Sequence, residues 1–205
     1  MRGHSSHLYL AATIDLDRAV TWLAEANAQR PPPDRLLMGA LFLRAVTHGL
    51  RDVPELNAPT IDDHGQPSSA VHLGVAVVRW DEAPIVAVLP DADRRNVDDL
   101  MKALRELVRR ARSDRLHEAD QAEPTFTVTN LGTLGVHAIF PSVAPPLVGA
   151  VGFGKVVEQP SAVQGAVVCS PAVTATLAAD QTIGGHRGAR FLATMDRVLQ
   201  RPETL

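Results

Sequence analysis

The sequence predicts a single α/β domain with strands and helices mixed along the chain around one core. Three observations predict it. Short runs that alternate, or are rich in β-branched residues, recur at 7–16, 71–79, 85–89, 126–129, 147–153 and 166–179. Between them lie stretches whose apolar residues repeat at helical spacing. The 205 residues are 45% hydrophobic, enough to bury one large core.

The elements follow in order. His7-Leu8-Tyr9-Leu10 opens a strand, and Asp15 or Asp17 is expected to cap a helix to about Asn27. Three prolines at 31–33 make a hinge. Asp34 is expected to cap a buried helix ending near Asp52, ahead of Pro54. Residues 62–69 are polar and turn-rich, and a strand pair follows at 71–79 and 85–89. Asn96 caps a helix through about Arg112. Arg105, Arg109, Arg110, Arg112 and Arg115 crowd its end, as favourable charge at a helix C-terminus or as a landing site for a nucleotide phosphate. The run 166–179 reads as a strand broken near Pro171, and 185–200 as the last helix. The total is about six strands and four helices, with 1–6 outside the folded part.

Composition excludes several classes of function. A net charge of −3 gives no general attraction to nucleic acid or anionic membrane. Aromatic residues at 4% do not make a base-stacking surface. No run approaches the length of a membrane span, and 1–6 lack a signal-peptide core. The single Cys169 sits in an apolar run, is expected to be a buried small hydrophobe, and suits a cytoplasmic setting. The eight histidines show no metal-ligand spacing; His4 and His7 are the nearest approach to one.

The chain is organised around Phe126-Thr127-Val128-Thr129-Asn130-Leu131-Gly132. A strand here is broken by Asn130 and Gly132, leaving the Thr129 hydroxyl at the mouth of a tight turn. Gly135, His137, Phe140, Pro145-Pro146 and the run 147–153 follow. The whole stretch FTVTNLGTLGVHAIFPSVAPPLVGAVGFGKV resembles the catalytic domain of the 2-oxo acid dehydrogenase dihydrolipoamide acyltransferases, which are related in fold to chloramphenicol acetyltransferase. Pro54-Glu55-Leu56-Asn57-Ala58, the strand pair and Asp91-Ala92-Asp93 match further signatures of that family. The resemblance implies a chloramphenicol acetyltransferase-like mixed sheet packed with helices. It implies a homotrimer or higher homo-oligomer with active sites between subunits. It implies transfer of an acyl group from a thioester of coenzyme A or of a carrier protein; no metal is expected, from the histidine spacing above. No lipoyl or subunit-binding module is expected within 1–205.

Acyl transfer needs a base, an oxyanion donor and a channel that aligns two substrates. By the resemblance, Thr129 is the oxyanion donor, with Asn130, Gly132 and His137 shaping the substrate site. The family's base is the His of a His-x-x-x-Asp-Gly motif before the last helix. The chain instead reads Asp180-Gln181-Thr182-Ile183-Gly184-Gly185-His186. Asp180 keeps its place, Gln181 stands where His or its neighbour belongs, and Gly184 replaces the acid. Gln can orient a substrate but not take a proton. His186 is the candidate displaced base, and His137 a second.

Three functions fit. The first is a stand-alone acyltransferase acting on a small acceptor, in specialised biosynthesis. The second is a catalytically silent scaffold or ligand-binding relative. The third is a cavity repurposed for elimination or cyclisation.

Overall fold

The computed structural model describes residues 7–61, 64–65, 67–79, 83–163 and 165–205. The expectation for 1–6, and with it His4, lies outside these residues. Nine strands and four α-helices occur among the described residues. Seven strands form one mixed sheet. Its order is β1 (His7–Asp15), β9 (Ala166–Asp180), β7 (Gly149–Phe153), β6 (Phe126–Asn130), β4 (Leu73–Val77), β5 (Ile85–Leu89), and β8 (Val157–Val163) pairs with β9. β4, β6 and β7 run parallel, and the other pairings are antiparallel. β2 (Thr60–Ile61) and β3 (His64–Gly65) form a separate two-stranded sheet. The α/β expectation holds.

The period-two pattern sets the faces. Phe126, Val128, Val151, Phe153, Val173, Ala175, Leu177 and Ala179 belong to the main core. That face is backed by α2 (Met38–Asp52), α3 (Val97–Arg112) and α4 (Gly184–Leu199), with α1 (Asp17–Asn27) alongside. Phe42 of α2 stacks on Phe153 with ring centroids 4.4 Å apart, and Phe126 tilts against Phe191 of α4 at 5.6 Å. The opposite face carries the alternate residues Thr127, Thr129, Ala150, Gly152, Thr176 and Ala178. Residues within 131–148 pack across it.

The two family signatures turn out to be clamps. Asn57 is buried, and its amide donates to the carbonyls of Ser68 and Ala70 at 3.1 and 2.9 Å. Its oxygen accepts the Thr125 hydroxyl at 2.6 Å. Asp93 accepts the Val71 amide at 3.2 Å and pairs with Arg51 at 2.9 Å. These bonds fix the entry to β4.

Several expectations need correction. Neither Asp15 nor Asp17 is the N-cap of α1; Leu16 is, with no side-chain bond, while Asp15 accepts the Asp17 amide at 2.9 Å. Asp34 does not cap α2 either. The triproline drives a 3-10 turn, Pro32–Asp34, and α2 starts only at Met38. β9 runs unbroken through Pro171, which keeps its pairing partner Glu158. Proline is tolerated because this half of the strand lies beyond the reach of β1. β8, not among the strands expected from the sequence, pairs with this half of β9 as the other arm of a hairpin. Cys169 is exposed, because its half of β9 projects past the helices. Asn96 does cap α3, accepting the Asp99 amide at 2.8 Å. The arginine cluster sits at the C-terminal turn of α3; Arg110 pairs with Asp120 at 2.7 Å and Arg109 with Glu106 at 2.5 Å.

Phe126 is fully buried between Gly149, Leu56 and Phe191. Phe126→Ala is expected to cost about 3–5 kcal/mol, read as a lowered urea midpoint at unchanged slope.

Candidate active site

The Thr129 end is built by tight backbone contacts. β6 ends where the Asn130 side-chain oxygen accepts the Gly132 amide at 3.0 Å, an Asx turn that competes with the strand. A 3-10 turn, Gly132–Leu134, reverses the chain, and 136–141 returns across the open sheet face as a strap. Three contacts hold the strap. The Lys155 amide donates to the Val136 carbonyl at 2.7 Å. The Thr176 hydroxyl donates to the Ile139 carbonyl. Gly154 lets the His137 carbonyl approach so closely that any Cβ would overlap it. Further on, Val143 and Leu147 pack on Ala150 and Ala178.

The strap roofs a cavity of about 550 Å³ against β4, β5 and β6. Thr127 and Thr129 line its floor; Ile139, Phe140 and Leu147 line its roof. Thr129 is half-buried, so its hydroxyl is reachable. Asn130 instead lines a smaller cavity of about 180 Å³ on the helix side of the sheet, with Thr133 and Arg112. His137 is exposed and lines neither.

Residues 180–186 form the other end. Asp180 closes β9, and its carboxylate accepts the Thr182 amide at 2.9 Å and the Thr182 hydroxyl at 2.7 Å. This bond shapes the 3-10 turn Gln181–Ile183. Gly184 has φ +73°, a left-handed region that disfavours any side chain. The local path therefore explains why glycine, and no acid, stands there. Gln181 and His186 are both exposed, His186 in the first turn of α4. His186 lines a cleft of about 530 Å³ with Asp52, Glu55, Arg187 and Arg190. Arg187 pairs with Glu55 at 2.9 Å; Arg190 grips Asp52 at 2.5 and 3.0 Å. The sequence reading missed this ion-pair wall, whose only signal was the spacing of Arg187 and Arg190 on one helix.

Register separates the two ends. Thr129 lies beside Gly152, which lies beside Thr176. Asp180 is four residues further along β9, so roughly 13 Å further along the strands and two strands across. Within one chain the Thr129 hydroxyl and the 180–186 turn do not meet. Asp180, Gln181 and His186 share one end, Thr129, Asn130 and Gly132 the other, and His137 stands apart on the strap. No group of three or more His, Cys, Asp or Glu suited to a metal occurs among the described residues.

A mixed sheet backed by helices, with a strand hydroxyl under a returning strap, defines the acyltransferase fold class. Residues 2–205 match the family described as 2-oxoacid dehydrogenases acyltransferase (catalytic domain), and the chain belongs to it. A dihydrolipoyllysine-residue succinyltransferase component of the Rickettsia typhi 2-oxoglutarate dehydrogenase complex is 28% identical over 167 residues, covering 81% of this chain and 42% of the relative. The chain thus spans about two fifths of the length of that curated relative. A crystal structure of the Azotobacter vinelandii dihydrolipoamide acetyltransferase superposes with TM-score 0.90 at 25% identity, covering 98% of this chain and 85% of that one. Work on that enzyme concerns the catalytic role of a serine, a histidine and an asparagine. Chloramphenicol acetyltransferase superposes with TM-score 0.66 at 12% identity, covering 94% of this chain and 88% of that one, which shows the shared fold.

Two predictions follow from these contacts. Gly154→Ala is expected to lift the strap, costing about 1–3 kcal/mol and opening 136–141 to limited proteolysis. Arg190, then Thr194, hold the Asp52 carboxyl down to about 2. A folded value below the unfolded one of about 3.9 stabilises the fold above pH 4, and that share is lost as pH falls from 4 toward 2. Asp52→Asn is therefore expected to lower Tm at pH 7 by about 2–4 °C, the pair being partly solvent-screened. The difference from wild type should vanish by about pH 2.

Proposed function

We propose that this chain is an acyltransferase whose active site is completed between two copies. An acyl group passes from a thioester, of coenzyme A or of a carrier, to a small acceptor. The observation that carries this is the reachable Thr129 hydroxyl at a ligand-sized cavity, in a sheet whose opposite end bears the 180–186 turn. Only a second copy can bring the two ends together.

The residue roles follow from chemistry. The acceptor's O–H or S–H attacks the thioester carbonyl, and His186 of the neighbouring copy takes the proton. The Thr129 hydroxyl donates to the oxyanion of the tetrahedral intermediate. Collapse expels the thiolate, which regains the proton and leaves as a free thiol. Asp180 holds the 181–183 turn, and Gln181, exposed beside it, orients the acceptor by hydrogen bonding. Asn130 and Gly132 set the turn that positions Thr129. His137 lies on the strap above them and stands in as a second base. An acidic acceptor, such as an enol, would demand little of either.

Features of the surface support assembly. Leu134, Phe140 and Val86 around the cavity are about half-exposed, as is Tyr9, whose ring meets Phe140 edge-on at 6.1 Å. The β8–β9 hairpin projects with Val167 and Val168 exposed. A solved relative forms the cubic core of a pyruvate dehydrogenase complex. We read this chain as a homotrimer or higher homo-oligomer.

A second reading has its own observation. Gln181 and Gly184 stand where the family carries its base and acid, which favours a catalytically silent scaffold.

Complementation tests both. Thr129→Ala is expected to lose about 10²–10³ in kcat, and His186→Ala to be similarly impaired, measured as thiol release from acetyl-coenzyme A. Co-expressed, the two variants should recover about a quarter of wild-type activity, because random mixing leaves one interface in four with both residues intact. No thiol release and no calorimetric binding of coenzyme A by the wild-type protein would sink the enzyme reading and leave the scaffold.

A further inference from the structure

The cavity at Thr129 has a chemical character that the fold does not require. An oxyanion donor sits about 3 Å from the oxygen it stabilises. The carbon chain of the acyl group must then lie in the space beside the Thr129 hydroxyl. That space is walled by Ala76, Val78, Val86, Leu131, Ile139 and Leu147. The other polar side chains there are the hydroxyls of Thr127 and Ser142, and no described lining residue is charged. Arg79, next to Val78 in sequence, pairs with Asp114 at 3.5 Å. Arg112 lines the cavity on the other sheet face, and Arg187 and Arg190, which a neighbouring copy would bring toward this end, are already paired with Glu55 and Asp52.

We infer that the acyl group handled here is uncharged, apolar and larger than acetyl, and that dicarboxylic groups of the succinyl kind are excluded. The inference rests on the acyltransferase reading and sets this chain apart from the succinyltransferase component it matches in sequence. Size argues against acetyl. A cavity of about 550 Å³ falls within the range of small-molecule sites, about 300–1,000 Å³, and a single methyl leaves most of it unfilled. Each further methylene moved out of water is worth about 0.8 kcal/mol. Charge argues against succinyl. A carboxylate taken into this space meets hydroxyls and hydrocarbon, and none of the described lining residues is a cation that would offset its lost hydration.

The test uses the intact oligomer and four donors: acetyl-, butyryl-, hexanoyl- and succinyl-coenzyme A. Free coenzyme A, separated chromatographically, with dihydrolipoamide as acceptor gives kcat/KM for each, and calorimetry gives their affinities without chemistry. Butyryl is expected to exceed acetyl, by about fourfold per added methylene until the cavity fills. Succinyl, matched to butyryl in carbon number, should fall about 100-fold below it. Ala76→Leu, which fills the cavity floor, should move the optimum to a shorter chain. Succinyl within threefold of butyryl, in turnover or in affinity, overturns the inference and leaves acyl transfer standing. If no donor turns over yet butyryl binds tighter than succinyl, the selectivity stands and the catalytic reading falls. Equal binding of all four donors overturns the selectivity.

Discussion

The structure depends on the pairing of β9 along both of its edges. β1 bonds to 172–180 on one side, while β7 and β8 share the other. This single strand therefore fixes the direction of β7, and through it the parallel β6 and β4. Its alternation feeds both faces at once. Val173, Ala175, Leu177 and Ala179 enter the helix-backed core, while Thr176 and Ala178 anchor the strap and its tail. A one-residue slip of β9 would exchange the two sets, burying hydroxyls under α4 and leaving the strap without its anchor.

The small residues of the open face matter for the same reason. Gly152 has no room for a Cβ, which would meet the Ile139 carbonyl at 2.5 Å. The strap can lie this close only because the sheet beneath is glycine, alanine and threonine. Bulky residues there would give a better-filled sheet but no cavity. The binding space is thus set by backbone approach, with side chains supplying the lining.

Much of this was legible in the sequence. The stretch from Phe126 to Lys155 announced strand, turn, loop and strand, because Asn130, Gly132 and the alternation each act locally. The helix of 97–112 was equally plain, with its Asn96 cap and apolar stripe. Long-range causes were not legible. Nothing near Cys169 in sequence says that its half of β9 runs past the helices and stays wet. β8 has a poor strand composition, and only pairing with β9 makes it a strand. Asp34 has the chemistry of a cap, yet the neighbouring prolines commit it to a 3-10 turn. The distance between Thr129 and the 180–186 turn followed only from register across three strands. The grip of Arg190 and Thr194 on Asp52 joins residues more than a hundred positions apart.

The two ends of the sheet can also change independently. The Thr129 end is held by Asn130, Gly132, Gly152, Gly154 and Thr176, none of which touches the 180–186 turn in the contacts described above. The other end is held by Asp180 on Thr182, by the left-handed Gly184 and by the ion pairs of α4. A change within the 180–186 turn therefore breaks none of the contacts described as holding the Thr129 end. The reverse also holds. Asp180 retains a structural task, closing the turn after β9, whether or not a base follows it. Persistence of Asp180 is thus no argument for catalysis, whereas the hydroxyl of Thr129 makes no bond described here that the fold requires. Of the residues singled out on the sheet itself, Thr129 is the one for which no structural bond is described, and the proposed role of its hydroxyl draws on that freedom.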